Sequence, residues 1–362
     1  MTIRSLLLSS AAMLAAVSSA NAADAVVAAE PEPAEYVKIC DAFGPGYFFI
    51  PGTETCLKLG GKVRTEGEWH SAYNPSSKTG TLWHTRAELQ LQTATDTEYG
   101  PLTTNSELRW DWNDGGSTTT KLLHASISLG GFTVGKEDSQ YNSFIGYAGD
   151  VINDDVVYDG PYELNQLTYK YDAGNGFSAV ISLEDSNSSS DSSSYGGAWV
   201  TSESNHYAPD VVAGAGFKSG AWSFKVVGGY DSIVEEGAVK ARVDADFGVF
   251  SAFLMGGYNT DGSKLNKYAG SNLDESACPS GKGYLCGWGD WAVWGGVGVP
   301  INEKLKWNLQ LAYTDSKIFA ATTNLKFNPV KNLLIEPELS YTSWDSVNKD
   351  QWSGILRFQR SF

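Results

Sequence analysis

The stretch Gln351-Trp352-Ser353-Gly354-Ile355-Leu356-Arg357-Phe358-Gln359-Arg360-Ser361-Phe362 decides the fold. Trp352, Gly354, Leu356 and Phe358 alternate with Gln351, Ser353, Arg357 and Gln359, the period of two that marks a strand with one apolar face. An uncovered terminal strand in a soluble sheet exposes unpaired N–H and C=O groups that template aggregation, whereas a closed barrel has no edge. The expected partner is the first strand-like run after the N-terminal segment, Leu57 to Trp69. Pairing the two would complete a barrel.

Outward from that seam, the N-terminus sets the compartment. Arg4 precedes an apolar run from Leu6 to Val17 and then the small-residue site Ala20-Asn21-Ala22, the pattern of an export signal. Residues 1–22 are read as a signal peptide, 23–56 as an N-terminal periplasmic segment and 57–362 as the barrel. Ala23 to Glu35, acidic and proline-containing, is expected to trail without order. The apolar run is shorter than the ~20 residues a helical span needs. With a mean hydropathy of -0.25, the chain can enter a membrane only as a barrel, whose alternating segments hide their hydrophobicity from a window average. The expected site is the bacterial outer membrane, in contact with its lipid and lipopolysaccharide.

The alternation recurs along the chain. Leu57, Leu59, Val63 and Trp69 oppose Lys58, Lys62, Arg64, Glu66 and Glu68; Trp83, Ala87, Leu89 and Leu91 oppose His84, Arg86, Glu88, Gln90 and Gln92. Leu108, Trp110 and Trp112 oppose Glu107, Arg109 and Asp111, and the runs at 239–247 and 304–313 repeat the scheme. About sixteen such strands are expected, an even number as bacterial barrels require. Tight turns at Gly130-Gly131 and Ser219-Gly220 alternate with long polar connections such as 138–163 and 259–290. Pro337 sits inside the run 333–341, where a ladder donor is expected, so a bulge or a different boundary is anticipated there.

Charge on one face only fixes the polarity. Lys or Arg facing lipid at the bilayer midplane costs ~2–4 kcal/mol each, so the charged face looks inward and must be wet. A barrel of this strand number is too wide for side chains to fill. Wide, wet and closed amounts to an aqueous pore. The formal charge of -16 speaks against nucleic-acid binding, which needs a basic face. Four cysteines allow three connectivities, of which Cys40–Cys56 and Cys278–Cys286 are the local ones. Neither pair has zinc-ligand spacing, so both are read as disulfide staples of loops, with metal binding as the remote alternative.

Three segments carry a family resemblance. They are Val37-Lys38-Ile39-Cys40-Asp41-Ala42-Phe43-Gly44-Pro45-Gly46-Tyr47-Phe48-Phe49-Ile50-Pro51-Gly52-Thr53-Glu54-Thr55-Cys56-Leu57-Lys58, then Gly146-Tyr147-Ala148-Gly149-Asp150-Val151-Ile152-Asn153-Asp154-Asp155-Val156, and the terminal Arg357-Phe358-Gln359-Arg360-Ser361-Phe362. Together they resemble the alphaproteobacterial, rhizobial-type porin family. The resemblance implies homotrimers of sixteen-stranded antiparallel barrels that passively admit small hydrophilic solutes, a third long loop folded into the lumen, no cofactor and no catalysis. The serine-rich tract Ser186–Ser194 and the Cys278/Cys286 pair depart from the family pattern.

The loop 138–163 carries Asp138, Asp150, Asp154, Asp155, Asp159 and Glu163 and no Lys or Arg. Across the lumen the inward registers offer Lys62, Arg64, Arg86, Arg109 and Arg357 on neighbouring strands. Opposed charge across a narrow aqueous gap makes a transverse field that orients dipolar solutes. The competing reading pairs these arginines with inward carboxylates, as Arg86 with Glu88 or Glu107. The acidic loops favour a weak cation preference. Outward Thr85, Ala87, Thr104, Ser106 and Ala125 are small or hydroxylic, which suits subunit packing more than acyl chains. Rival functions are a substrate-specific channel, favoured if aromatics stack along the lumen, and a barrel hydrolase using His84 with Ser126 or Ser128 and Glu88. A secreted β-sandwich would leave the charged face unexplained.

Overall fold

The computed structural model describes residues 38–71, 80–113, 116, 118–154, 157–185, 207–264, 266–270 and 287–362. The expected signal peptide, the serine-rich tract, Asp155 and the Cys278/Cys286 pair lie outside them. A short strand β1 (Tyr47–Phe49) is followed by β2 (Cys56–His70), β3 (Gly80–Thr95), β4 (Leu102–Asn113), β5 (Thr119–Leu129) and β6 (Phe132–Asp138). Then come β7 (Glu163–Asp172), β8 (Phe177–Glu184), β9 (Asp210–Ser219), β10 (Trp222–Asp231), β11 (Glu236–Asp246) and β12 (Ser251–Asn259). The last five are β13 (Trp291–Asn302), β14 (Leu305–Thr314), β15 (Ile318–Phe327), β16 (Leu333–Trp344) and β17 (Lys349–Ser361).

Strands β2 to β17 pair antiparallel in chain order, and β17 returns to β2 from Ser353↔His70 to Ser361↔Lys62. The sheet is therefore a closed barrel of sixteen strands, as the alternation predicts. At the seam Gly61 N–H donates to the Phe362 carbonyl at 3.2 Å and Phe362 N–H to that of Gly61 at 3.0 Å. A Cβ on Gly61 would stand 2.8 Å from the Phe362 ring, so this glycine makes the close approach there feasible. Strand β1 lies on β2 through Tyr47↔Lys58, Phe48↔Leu57 and Phe49↔Cys56, and the Cys40–Cys56 disulfide ties its approach to the barrel.

Leu59, Val63, Trp83, Trp110, Leu254 and Phe358 are among the apolar side chains left exposed on the outer face, the band that hydrocarbon would cover. Neighbours one residue along point inward and many are polar, as Arg64, His84, Asp111 and Gln359 are, whereas Met255 beside Leu254 joins a buried apolar cluster. Pro337 needs neither a bulge nor a new boundary. Strand β16 runs through it and pairs Pro337 with Leu356 on β17, while on the β15 side the ladder passes from Asn324↔Glu338 to Phe327↔Ile335 without changing register. The missing N–H donor locally opens one ladder and leaves the other intact. A real register shift occurs between β4 and β5, where Glu107 opposes His124 but Leu108 opposes Leu122. The extra residue, Leu123, is buried.

Candidate functional site

The third loop on the long side, residues 139–162 and hereafter L3, turns into the barrel and lies along the inner face of β10 to β16. It begins in one helical turn, Gln140–Ser143. Glu184 on β8 caps that turn, accepting Gln140 N–H at 2.9 Å and Ser139 Oγ–H at 2.8 Å, so a carboxylate meets an N–H group that has no partner within the turn. Farther along, Lys225 Nζ donates to the Phe144 carbonyl at 2.7 Å, and Arg242 donates to the carbonyls of Gly146 at 3.1 Å and Tyr147 at 2.5 Å. Buried Lys240 donates to Asn142 Oδ1 at 2.6 Å and to the Asp159 carbonyl. Wall cations thus bind mainly loop main-chain carbonyls, with the Asn142 side chain as a sequence-specific addition.

The loop tip is clamped by carboxylates and lysines. Glu338 on β16 accepts Ile152 N–H at 2.5 Å and Asn153 N–H at 2.8 Å. Asp150 is held by Lys306 at 2.8 Å and by Lys326. Gln310 donates to the Asp154 carbonyl at 3.0 Å and Thr322 to that of Asn153 at 3.2 Å. Two indoles close the return path, Trp294 donating to the Val157 carbonyl at 3.1 Å and Trp288 to that of Tyr158 at 2.6 Å.

A second inserted segment, 266–270, backs L3. Lys267, 1% exposed, pairs with Asp210 at 2.9 Å, and its N–H donates to Asp231 at 2.9 Å. The Tyr268 ring packs 4.9 Å from that of Tyr141. Gly229 makes room for it, since a Cβ there would lie 2.6 Å from the Tyr268 ring. On the short-turn side, an open volume of about 980 Å³ remains between Ile145–Asp150 and β9 to β14, lined in part by Lys218, Lys225, Arg242, Asp244 and Lys306.

The arc β17–β2–β3–β4 bears a different surface. Lys62 meets Glu88 at 2.5 Å, Arg64 meets Glu66 at 3.1 Å, and Arg86 meets Asp111 at 2.7 Å and Glu88 at 3.5 Å. Arg109 meets Asp111 at 2.5 Å, and Arg357 bonds Glu66 and lies 3.7 Å from Glu336. The structure thus brings the five expected cations onto one inner arc and gives each a carboxylate partner. Most cross-strand neighbours here are of opposite sign, as Lys62 with Glu88, Glu88 with Arg109 and Arg86 with Asp111, whereas Arg64 stands directly opposite Arg86.

The loop carboxylates divide by position. Asp138 ends β6, where it bonds His124 at 3.1 Å and the Tyr147 hydroxyl. Asp150 sits at the tip with its two lysines; burial alone would push its carboxyl up, but the hydrogen bonds from Lys306 and Lys326 outweigh it and hold it below its ordinary value. Asp159 is fully buried beneath the loop, accepting Ala148 N–H at 3.1 Å and Asn142 at 3.2 Å, and burial drives its carboxyl upward despite nearby Lys240. Asp154 lies on the return from the tip, and Glu163 opens β7. The wall residues that grip L3, chiefly Lys240, Arg242 and Glu338, are not in the sequence-derived set; strand alternation marks Lys240 and Arg242 as inward, but only the fold shows what they meet.

His84 lies between Glu66 at 3.1 Å and Asp111 at 2.8 Å. Ser126 donates to Glu137 at 2.5 Å, and Ser128 pairs with Thr133 at 2.8 Å. The nucleophile–base grouping of a hydrolase is therefore not assembled.

Residues 24–357 match the family model described as the porin subfamily. The chain is 40% identical over 384 residues to the porin Omp2b of Brucella canis and 41% identical over 393 residues to the porin Omp2a of Brucella melitensis, covering 100% of each and of itself. Among solved structures, it resembles the outer membrane channel DcaP of Acinetobacter baumannii with a TM-score of 0.61 and 16% identity, over 87% of this chain and 99% of that one. The anion-selective porin of Comamonas acidovorans matches with a TM-score of 0.57 and 14% identity, over 85% and 100%. At such identities these two speak for the fold alone.

Proposed function

This chain belongs to the porin subfamily and is a bacterial outer-membrane channel, not an enzyme; on that premise we propose a water-filled passive diffusion pore for small hydrophilic solutes and ions, constricted by L3 and weakly cation-preferring. The observation that carries this reading is the docking of L3 along β10 to β16, which leaves the charged arc of Lys62, Arg64, Arg86, Arg109 and Arg357 as the facing wall. Each cation of that arc is compensated by a neighbouring carboxylate, so the chain's formal charge of -16 sets the sign of the wider field. Within L3, Asp154 and Asp155 are the proposed selectors. Asp138 and Asp150 share their charge with fixed partners, Asp159 acts as an internal anchor, and Glu163 stands at the loop's exit.

Trp288, Trp294 and Trp344 are buried, and the first two donate to L3 carbonyls, which leaves no support for an aromatic-lined specific channel in these residues. A homotrimer is the proposed assembly. It is supported by the small outward surface of Thr85, Ala87, Thr104, Ser106 and Ala125, where Thr85 meets Thr65 at 3.2 Å and Thr104 meets Thr93 at 2.6 Å. Lipid and lipopolysaccharide are the proposed partners of the remaining outer face, and residues 1–22 the proposed export signal. The deciding experiment is planar-bilayer recording under a salt gradient. Large steps that scale with bulk salt, and a cation preference lowered by Asp154→Asn with Asp155→Asn, are expected. Silence, or steps blocked by one solute alone, would reject a general pore, and an unchanged reversal potential would reject the loop as selector.

A further inference from the structure

The β2–β3 register sets Glu66 directly opposite His84 on the inner wall, with Glu68 two residues along on the same face. Nδ1 of His84 lies 3.1 Å from Glu66 Oε2, and one potential ligand atom from each of Glu66, Glu68 and His84 lies within 4.8 Å of the other two. Two ligands of a tetrahedral zinc ion, with bonds of about 2.1 Å, stand about 3.4 Å apart. The first pair already has nearly that spacing, and Glu68 on the same face supplies the third ligand atom within 4.8 Å of the other two.

The chemistry of His84 points the same way. Its Nε2 faces Asp111 at 2.8 Å and its Nδ1 faces Glu66. A carboxylate only accepts, and a neutral imidazole donates from one nitrogen. One of the two contacts therefore needs a cation, either a second proton on the ring or a metal ion on Nδ1. The Asp111 contact is the orienting bond that metal-binding histidines receive on their far nitrogen. Glu68, for its part, makes no hydrogen bond or ion pair with the described residues.

We infer that His84, Glu66 and Glu68 form a lumenal site for one divalent transition-metal ion, with zinc as the best fit. Two carboxylates and one neutral imidazole match a divalent charge, and an imidazole nitrogen with so few oxygens suits zinc rather than calcium or magnesium. The fourth position opens on the lumen and takes water. Glu66 Oε1 is held by Arg64 and Arg357, which fix the ligand but oppose added positive charge, so the site is exchangeable rather than structural. Bound zinc adds two charges to the pore wall, narrowing the passage and weakening cation flow.

The test uses untagged, refolded protein, with folding checked by heat-modifiable gel mobility. Zinc chloride is titrated calorimetrically and, separately, added to a bilayer recording. One zinc per chain is expected, with a stepwise fall in current over the same concentration range and no such effect from magnesium. Glu68→Gln, which disturbs no bond among the described residues, and His84→Gln should each weaken binding by at least about tenfold. No heat up to millimolar zinc, or binding that both substitutions leave unchanged, would overturn the site. The current readout rests on the pore reading and the calorimetry does not, so zinc binding through these residues by a protein that never conducts would support the site and reject the pore.

Discussion

The Glu338 carboxylate accepts Ile152 N–H on one oxygen and Asn153 N–H on the other, at 2.5 and 2.8 Å, joining β16 to the tip of L3 across 186 and 185 residues of chain. Hydrogen bonds to a charged group contribute about 1.5–3 kcal/mol each. Glu338→Ala leaves both donors without a partner and should lower the unfolding temperature in detergent and raise open-channel current noise as the tip loosens. Glu338→Gln keeps one accepting oxygen and should fall between. Noise equal to the parent's in the alanine variant would show that the tip does not depend on this clamp.

The second fastening of the tip depends on pH. Asp150 is held below its ordinary value, because bonds from Lys306 and Lys326 outweigh its partial burial. A depressed carboxyl contributes stability that is present above its unfolded-state value and is lost as pH falls through its folded-state value. The latch is thus closed at neutral pH and opens only in acid below the ordinary aspartate range. Conductance noise should rise there in the parent, whereas Asp150→Asn should show that noise already at neutral pH and change little on acidification.

Behind the loop, Lys267 and Asp210 form a buried pair, with side chains 1% and 0% exposed. Removing one partner of such a pair typically costs about 3–5 kcal/mol, because the other charge stays buried without compensation. Lys267→Met should therefore destabilise the barrel toward urea, and Lys267→Met with Asp210→Leu should recover most of the loss. Equal loss in the single and double variants would mean that the lysine acts through its other contacts, the Asp185 carbonyl at 2.8 Å first among them.

Strand alternation made the barrel, its closure and the inward arc of Lys62, Arg64, Arg86, Arg109 and Arg357 legible, because a period of two is a local property that needs no knowledge of the partner strand. The bulge at Leu123 was not legible, since one extra residue reads as an ordinary break in alternation. Pro337 misled in the opposite direction, as a missing donor matters only to the neighbour that would have received it. The docking of L3 was the least accessible part. Asp150 and Asp159 look alike as acidic loop residues, yet one is pinned by lysines from β14 and β15 and the other is sealed beneath the loop. That difference is set by contacts more than 80 residues apart in sequence, such as Lys240 with the Asp159 carbonyl across 81.

The Cys40–Cys56 bridge closes a separation of 16 residues, a span for which loop-closure entropy predicts about 3 kcal/mol of stabilisation. That stabilisation is local. Strand β1 pairs with β2 at only three positions, whereas β2 is held independently by β3 over its whole length and by β17 from Lys62 to His70. Cys40→Ser should therefore release residues 41–55 to proteolysis from the short-turn side while leaving single-channel conductance and heat-modifiable mobility unchanged. Limited digestion of the folded variant followed by bilayer recording checks both halves. A barrel that fails to refold without the bridge would show instead that β1 is needed to set the register of β2 before the seam closes.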